Sequence, residues 1–168
     1  QADVPDDLGP VKAVSAGSQH TCAIKKTDDT VQCWSKSNSY GQATIPNNLG
    51  PVTAVNAGDW NTCAIKKKGD TLKCWGSDMN ENSVPNGLGA VTAVSAGMMH
   101  TCAIKKKGDT LKCWGYGYQG QTKVPNGLGA VTAVSAGGEH TCAINKNNKV
   151  QCWGADKKGQ SKVPANLL

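Results

Sequence analysis

One cysteine-bearing phrase, present four times, constrains the fold of this chain more than any other feature. Residues 100–115 read HTCAIKKKGDTLKCWG, residues 61–76 differ from them only in the first letter, and looser copies begin at His20 and His140. The first cysteines of the copies are spaced by 41, 39 and 40 residues and are Cys22, Cys63, Cys102 and Cys142. A regular period of this length predicts a repeat architecture, in which each unit is stabilised by its neighbours.

The residues that flank each copy are repeated as well. A phrase of the type VTAVSAG precedes each copy, and a phrase of the type KVPNGLG follows it. The repeats therefore fill nearly the whole chain and leave no segment for a second domain. We predict a single repeat domain over residues 1–168, with repeats at about 5–45, 46–84, 85–124 and 125–164.

Within each copy, the alternation of residues predicts a β-hairpin. Cys22 and Ile24 fall on one face of a strand, Val31 to Trp34 alternates in the same way, and the polar residues between the two runs are typical of a turn. The two cysteines of such a hairpin lie opposite each other, at a separation that a disulfide can bridge. The last hairpin is one residue shorter, so we expect a different turn or a bulge there. The predicted disulfides are Cys22–Cys33, Cys63–Cys74, Cys102–Cys113 and Cys142–Cys152.

Each repeat supplies three or four short strands, and no segment has a convincing helical period. A single small sheet cannot bury one of its faces alone, whereas several sheets packed around an axis can. We therefore predict an all-β chain, a β-propeller of four blades of about 40 residues, each with an intra-blade disulfide. A glycine ends the first strand of each repeat and marks either a turn with positive φ or a close approach of two backbones. These glycines are Gly17, Gly58, Gly97 and Gly137.

Cysteine usage and charge bound the location and the partners. Eight cysteines in an even, regular pattern indicate an oxidising compartment, so we expect a secreted, extracellular protein. The chain begins at Gln1 without an apolar leader, which we interpret as a mature secreted form or a fragment. No apolar run is long enough for a membrane-spanning helix. The net charge of +6 is the balance of 18 lysines and 12 acidic residues, and it fits a solubilising surface or an anionic partner. The absence of arginine argues against sequence-specific nucleic-acid recognition.

The ordering Ala-Gly, His, strand, turn, strand, Trp-Gly, Gly-Gln and Val-Pro resembles the regulator of chromosome condensation repeat over all four units. The closer similarity is to the short secreted form of about 40 residues, as in β-lactamase inhibitor protein II and in the extracellular repeats of crinkly-type plant receptor kinases. The resemblance implies a β-propeller with a protein-binding or ligand-binding role, and it does not imply an enzyme.

The known members have about seven repeats and this chain has four. Either four blades close a ring within the chain, or two chains combine their blades. Copies of the junction phrase at both ends, around Val4-Pro5 and Val163-Pro164, give five junctions for four repeats. The surplus junction overlaps at the seam of a ring or docks on a second subunit, and we lean to a homodimer.

Several repeated side chains are candidates for ligand-binding sites. The residue two before the first cysteine is His20, His100 or His140, with Asn61 in the second repeat; a structural hydrogen-bonding role is the favoured alternative. A metal site is not expected, because the neighbouring cysteines are predicted to form disulfides, and no cofactor or catalytic group is expected. The repeated Gly-Gln supplies Gln42, Gln121 and Gln160, whereas the second repeat has Asn80-Glu81, so three equivalent sites are predicted. The tryptophans that follow the second cysteines either pack between blades or form exposed platforms; they are Trp34, Trp75, Trp114 and Trp153.

Large side chains in the variable loops are the other candidates for binding, because loops of propellers carry their contacts. They include Trp60, Tyr116 and Tyr118. We favour a secreted multivalent carbohydrate-binding lectin that uses repeated sites in the loops between strands. The alternative is a propeller that binds a secreted or cell-surface protein through one asymmetric loop epitope, such as an enzyme inhibitor or a receptor-type ligand. A storage or matrix protein without a discrete site is the third hypothesis.

Overall fold

The computed structural model describes residues 3–77 and 82–167. Within these residues, the strands form four antiparallel sheets of three strands each, one per repeat and in chain order. The first sheet contains β1 (Val11–Ala16), β2 (Thr21–Lys25) and β3 (Val31–Trp34), and the second contains β4 (Val52–Ala57), β5 (Asn61–Lys66) and β6 (Leu72–Gly76). The third contains β7 (Val91–Ala96), β8 (His100–Lys105) and β9 (Leu111–Gly115), and the fourth contains β10 (Val131–Ala136), β11 (His140–Asn145) and β12 (Val150–Gly154). A short 3-10 helix covers Ala165–Leu167.

The predicted disulfides are confirmed, one in each sheet. Cys22 lies directly opposite Cys33 in the pairing of β2 with β3, and their Cα atoms are 4.0 Å apart. The same register brings together the cysteines of the other three hairpins, at Cα separations of 4.0 to 4.1 Å. A cystine at the centre of a sheet of 15 to 17 residues replaces part of the apolar core that so small a unit lacks.

The shorter fourth hairpin is accommodated by its turn. The pairing of β11 with β12 runs from His140–Gly154 to Ile144–Val150 without a register shift, so the hairpin contains no bulge. The turns of the first three hairpins hold an aspartate at positive φ, for example Asp29 at 61°, and Asn148 takes this conformation in the fourth at 61°. Asp and Asn adopt the left-handed conformation more readily than other non-glycine residues.

The apolar core lies between successive sheets, which pack face to face. Between the first and second sheets, Ile24 of β2 packs with Leu49, Val52 and Trp75 of the next repeat. Equivalent clusters fill the spaces between the second and third sheets and between the third and fourth. Among the described residues, the first and fourth sheets share no such packing, so the four blades form an open arc.

The glycines that end the first strands allow neighbouring backbones to approach closely, and their φ values are not in the left-handed region. A Cβ atom added at Gly97 would lie 2.3 Å from the carbonyl oxygen of Gly137 in the next sheet, and one added at Gly17 would lie 2.1 Å from that of Gly58. The close-approach interpretation is therefore correct for Gly17, Gly58 and Gly97, whereas a Cβ atom added at Gly137 would meet the imidazole of His140 in its own sheet.

Because the strands are antiparallel, their connections lie on two opposite sides of the arc. The connections from the first to the second strand of each sheet and the segments that leave the third strand lie together at one end, which we call the loop face. Backbone hydrogen bonds join them there, as between Tyr116 N–H and the Met99 carbonyl at 2.8 Å. The hairpin turns between the second and third strands lie at the opposite end, which we call the tip face.

Candidate functional site

A hydrogen-bonded relay links each blade to the next, and it contains several of the repeated candidates. The Nε2 atom of His20 lies 2.6 Å from the Thr62 hydroxyl of the second sheet, and that hydroxyl donates to the carbonyl oxygen of Gln42 at 2.7 Å. Because the hydroxyl has only one proton, His20 must be the donor in the first of these bonds. The imidazole is therefore the neutral tautomer that carries its proton on Nε2.

The third and fourth sheets repeat this relay. His100 Nε2 lies 2.9 Å from the Thr141 hydroxyl, which donates to the Gln121 carbonyl at 2.9 Å. In the second sheet Asn61 takes the place of histidine, and its amide donates to the Thr101 hydroxyl at 3.3 Å. The side chains of His20, His100 and Asn61 are all fully buried between blades.

Burial lowers the pKa of both enclosed imidazoles. The pKa of His100 falls to about 4, because burial disfavours the charged form and His140 adds a smaller electrostatic contribution. Burial also lowers the pKa of His20. In both residues Nδ1, the atom that protonation would charge, is buried without a hydrogen-bond partner in the described structure. The two histidines are thus neutral packing groups at neutral pH.

The repeated glutamines have structural contacts as well. The carbonyl of Gln42 accepts a second bond, from the indole N–H of Trp75 at 3.0 Å, and its buried side chain holds the loop through Tyr40 N–H and the Ser37 carbonyl. Gln121 repeats part of this arrangement, since its carbonyl accepts from the Trp153 indole at 2.9 Å and its side chain from Gln119 N–H, but its amide nitrogen has no hydrogen-bond partner in the described structure. The half-buried Gln160 accepts a bond from Lys158 N–H. The expected counterpart in the second repeat, Asn80-Glu81, lies outside the described residues.

Three of the four tryptophans pack between blades. Trp75 and Trp114 are buried in the clusters that join their sheets to the preceding ones. Trp34, in the first sheet, is only half-buried, and Trp153 contributes to the last cluster. Exposed tryptophan platforms are thus not found on the second and third sheets.

At the tip face, the turn aspartates connect each hairpin to the following blade. The Asp29 carboxylate pairs with Lys67 at 2.6 Å and also with Lys12. Both ammonium groups lower the pKa of Asp29, to about 2, and Lys12 makes the larger contribution. Asp70 pairs with Lys106 at 2.6 Å in the same way. These pairs are exposed, so each contributes little to stability, and the tip face as a whole is a solvated lysine-rich surface.

The loop face has a different character, because it exposes aromatic rings. Tyr118 is 82% exposed and Tyr116 is 43% exposed, and their ring centroids lie 6.3 Å apart. A second pair joins the loops of the first two blades, where Tyr40 is 47% exposed and lies 5.9 Å from the half-buried Trp60. The structure therefore separates the predicted candidates. His20, His100, Gln42 and Gln121 are enclosed between blades, whereas the loop aromatics are accessible.

Tyr40 was not selected from the sequence, although it stands in a variable loop segment. Its position directly before Gly41-Gln42 was a usable signal, because that dipeptide fixes the loop against the next blade. The partner of Tyr40, Trp60, is 20 residues further along the chain, and only the stacking of two blades brings the rings together.

Within residues 3–77 and 82–167, no group of three or more histidine, cysteine, aspartate or glutamate side chains is arranged to hold a metal ion. All eight cysteines form disulfides. No helix in this part of the chain has the length and apolar character needed to cross a membrane.

Comparisons with known proteins agree with this architecture. A family model described as the regulator of chromosome condensation (RCC1) repeat matches residues 11–42 and 131–160, which are the first and fourth sheets with the loops that follow them. A search of curated protein sequences finds no match.

Solved structures with the same fold include two extracellular regions of plant receptor kinases. The entire ectodomain of the Physcomitrella patens receptor kinase CR4 is 28% identical, with a TM-score of 0.78 over 98% of this chain and 46% of its own length. The CRINKLY ectodomain of the Arabidopsis thaliana receptor kinase ACR4 is 26% identical, with a TM-score of 0.69 over 86% of this chain and 49% of its own length.

Yeast RCC1 (Prp20), solved with Kap60 bound, is 20% identical with a TM-score of 0.77 over 95% of this chain and 47% of its own, which shows the shared fold alone. The chain thus spans about half the length of each of these structures. The resemblance to the regulator of chromosome condensation repeat family is therefore confirmed, for a chain whose four sheets are blades of that type of propeller.

Proposed function

We propose that this chain is an extracellular, non-catalytic binding module that recognises a secreted or cell-surface protein through its loop face. The observation that carries the proposal is the exposure of Tyr40, Tyr116 and Tyr118 on the loop face. Tyrosine and tryptophan supply large contact areas at a low entropic cost and are enriched at the centres of protein interfaces. The loops that carry them differ between blades, so the epitope is asymmetric.

The disulfides and the similar structures support the proposed extracellular compartment. Four cystines are stable in an oxidising environment, and two of the similar structures are ectodomains of receptor kinases. Secretion of this chain is a proposal on the same grounds.

A lectin with repeated pockets has less support from the geometry. Two of the three histidines and two of the three glutamines expected to form such pockets are fully buried and bonded within the blade stack. A carbohydrate ligand would instead contact the exposed face of the Tyr116 and Tyr118 pair. Carbohydrate binding therefore stays a prediction, and it shares the loop face with the proposed protein contact.

The proposal is tested with the purified chain as bait against extracellular fluid and cell-surface fractions of the producing organism. Any captured protein is then titrated against the Tyr116→Ser/Tyr118→Ser variant and against Lys107→Ser on the tip face as the matched control. We expect the tyrosine variant to weaken binding at least tenfold and the lysine variant to leave it unchanged. Equal binding by all three proteins would refute the loop-face proposal.

A glycan panel run with the same three proteins separates the two ligand classes. Binding to a glycan that free sugar inhibits, with no protein captured, would favour the lectin hypothesis. Folding of each variant is checked by its far-UV circular dichroism and by titration for free thiols.

A further inference from the structure

The net positive charge of the chain is concentrated in the four hairpin turns of the tip face. These turns contain ten lysines and four aspartates, and they are residues 25–29, 66–70, 105–109 and 145–149. The remaining residues contain eight lysines and eight acidic side chains, whose formal charges balance. The whole excess of +6 therefore lies on the tip face. A surface with charge of one sign attracts ions and polymers of the opposite sign.

Ion pairs within the tip face neutralise only part of this charge. One lysine in each of the second, third and fourth turns pairs with the aspartate of the preceding turn, at 2.6 to 2.7 Å; the pairs are Asp29–Lys67, Asp70–Lys106 and Asp109–Lys146. The lysines on either side of Lys67 and Lys106 have no carboxylate partner among the described residues; they are Lys66, Lys68, Lys105 and Lys107. Lys66 donates to the carbonyl oxygen of Asn48 at 3.1 Å, which leaves its charge intact.

These four lysines line two equivalent grooves of the described surface, one on the second blade and one on the third. The first groove has a volume of about 480 Å³ and lies between residues 48–51 and residues 66–68. The second has a volume of about 460 Å³ and lies between residues 87–90 and residues 105–107. Each groove thus has a segment of the junction phrase on one side and three consecutive lysines on the other.

A backbone hydrogen bond holds the two sides of each groove together. Lys67 N–H donates to the Pro51 carbonyl in the first groove, and Lys106 N–H donates to the Ala90 carbonyl in the second, each at 2.9 Å. The two grooves therefore have the same construction and the same charge. The turns of the first and fourth blades lack the third lysine, because Thr27 and Asn147 take its place.

The chemistry of the grooves fits an anionic polysaccharide better than other polyanions. Lysine ammonium groups are compact point charges on flexible stems, and they bind sulfate or carboxylate groups without the fixed two-bond geometry of arginine. Proteins that bind single-stranded nucleic acids add aromatic rings on which the bases stack. The exposed aromatic rings of the described residues, Tyr40, Tyr116 and Tyr118, lie on the loop face instead. An anionic membrane presents a flat surface, which does not enter a groove.

We propose that the tip face binds an anionic polysaccharide, which lies across the grooves of the second and third blades. The ammonium groups contact its sulfate or carboxylate groups. Sheets that pack face to face are about 10 Å apart, so one extended chain of a few sugar units reaches both grooves. Two equivalent weak sites on a rigid support give a polymer with a repeating unit an affinity that neither site has alone. This surface is opposite the loop face, so the proposal does not depend on the protein contact proposed there.

The first test is titration of the chain with size-fractionated heparin and polygalacturonate, which carry sulfate and carboxylate groups respectively, at about 150 mM salt. We expect the affinity to rise steeply from a disaccharide to chains that span both grooves. The affinity should fall as the salt concentration rises, because binding releases the counterions of the polymer. No measurable binding of either polysaccharide at this salt concentration would overturn the proposal.

A double variant tests the grooves themselves. Lys68→Thr/Lys107→Asn removes one lysine from each groove and introduces the residues that the first and fourth blades have at the same position, so the variant should fold. We expect its affinity for heparin to fall at least about fivefold. The control Lys157→Thr/Lys158→Asn removes the same charge from exposed positions of the last loop segment and should change the affinity less than about twofold. Equal weakening by both variants would show that net charge alone drives binding, and would overturn the proposal.

Other polyanions of matched charge test the class of ligand. The probes are a single-stranded DNA oligonucleotide, poly-glutamate and vesicles that contain phosphatidylserine. Tighter binding to any of these than to heparin would overturn the choice of a polysaccharide. Tyr116→Ser/Tyr118→Ser should bind heparin as the wild type does, so failure of this proposal and failure of the loop-face proposal are seen in separate measurements.

Lysine acetylation mapped by mass spectrometry is an independent readout of the contact. Bound heparin should protect Lys68 and Lys107 from acetylation and leave Lys157 and Lys158 reactive. Folding of each variant is checked by far-UV circular dichroism and by titration for free thiols. Uniform protection of all four lysines in the wild type would refute the assignment of the polymer to the grooves.

Discussion

Acidification should destabilise this protein well above the pH range in which carboxylates titrate, and His100 should be the main cause. Its imidazole is buried, donates from Nε2 to Thr141, and has no partner for Nδ1 in the described structure. The folded pKa of about 4 lies below the ordinary value of 6.5. Below pH 6.5 the unfolded state therefore binds a proton that the folded state does not. Stability falls as the pH drops and levels off below about pH 4.

The magnitude follows from the two pKa values. Between pH 7 and pH 5, a histidine that titrates at 6.5 when unfolded and at about 4 when folded lowers the free energy of unfolding by about 2 kcal/mol. His20 adds to the same trend, since burial lowers its pKa as well. The turn carboxylates contribute little in this window, because the lowered pKa of Asp29, about 2, affects stability only nearer pH 4 and below.

Urea denaturation followed by tryptophan fluorescence, with the disulfides intact, measures this loss. His100→Asn is the decisive variant, because Asn61 fills the same position in the second blade and bonds to its threonine without titrating. We expect the variant to lose about 2 kcal/mol less than the wild type between pH 7 and pH 5. The reverse change, Asn61→His, should steepen the dependence. A variant His100→Asn with the full wild-type loss would refute burial of this imidazole as the cause.

Two further predictions concern packing between blades and the cystines. Gly97→Ala should lower the free energy of unfolding by more than about 2 kcal/mol, because its Cβ would meet the Gly137 carbonyl at 2.3 Å. The control Gly138→Ala has only one atom nearby, at 3.9 Å, and should change the free energy of unfolding by less than about 0.5 kcal/mol. Equal melting temperatures for the two variants would contradict the close approach. Replacing Cys63 and Cys74 together by alanine should cost about 3 kcal/mol by the chain-entropy estimate for a short loop, and an unchanged denaturation midpoint would show that this cystine does not stabilise its blade.

The local structure of each blade was predictable because its causes are local. The alternation around Cys22 and Cys33 and the polar turn between them determine the hairpin, and the hairpin determines which cysteines meet. The repeat period then required that the units stack. The glycine before each histidine was recognisable as a constrained position, although two explanations of the constraint were open until the position of the next blade was known.

The roles of the repeated side chains depended on tertiary structure. His20 and Thr62 are 42 residues apart, and only the stacking of blades places the imidazole against that hydroxyl and away from solvent. The sequence shows which residues recur, but recurrence is expected both of a ligand site and of a contact between identical units. Burial distinguishes the two, and burial is a property of the assembled stack.

What the sequence by itself determined is the blade: its strands, its cystine and its period of about 40 residues, because these follow from contacts within one short segment. What only the tertiary structure decided is the arc of blades, with the relay enclosed between them and the tyrosines exposed on the loop face. The physical reason is that each of these depends on the angle and spacing between neighbouring sheets. That geometry is set by many weak contacts between residues about 40 positions apart, and no single stretch of the chain encodes it.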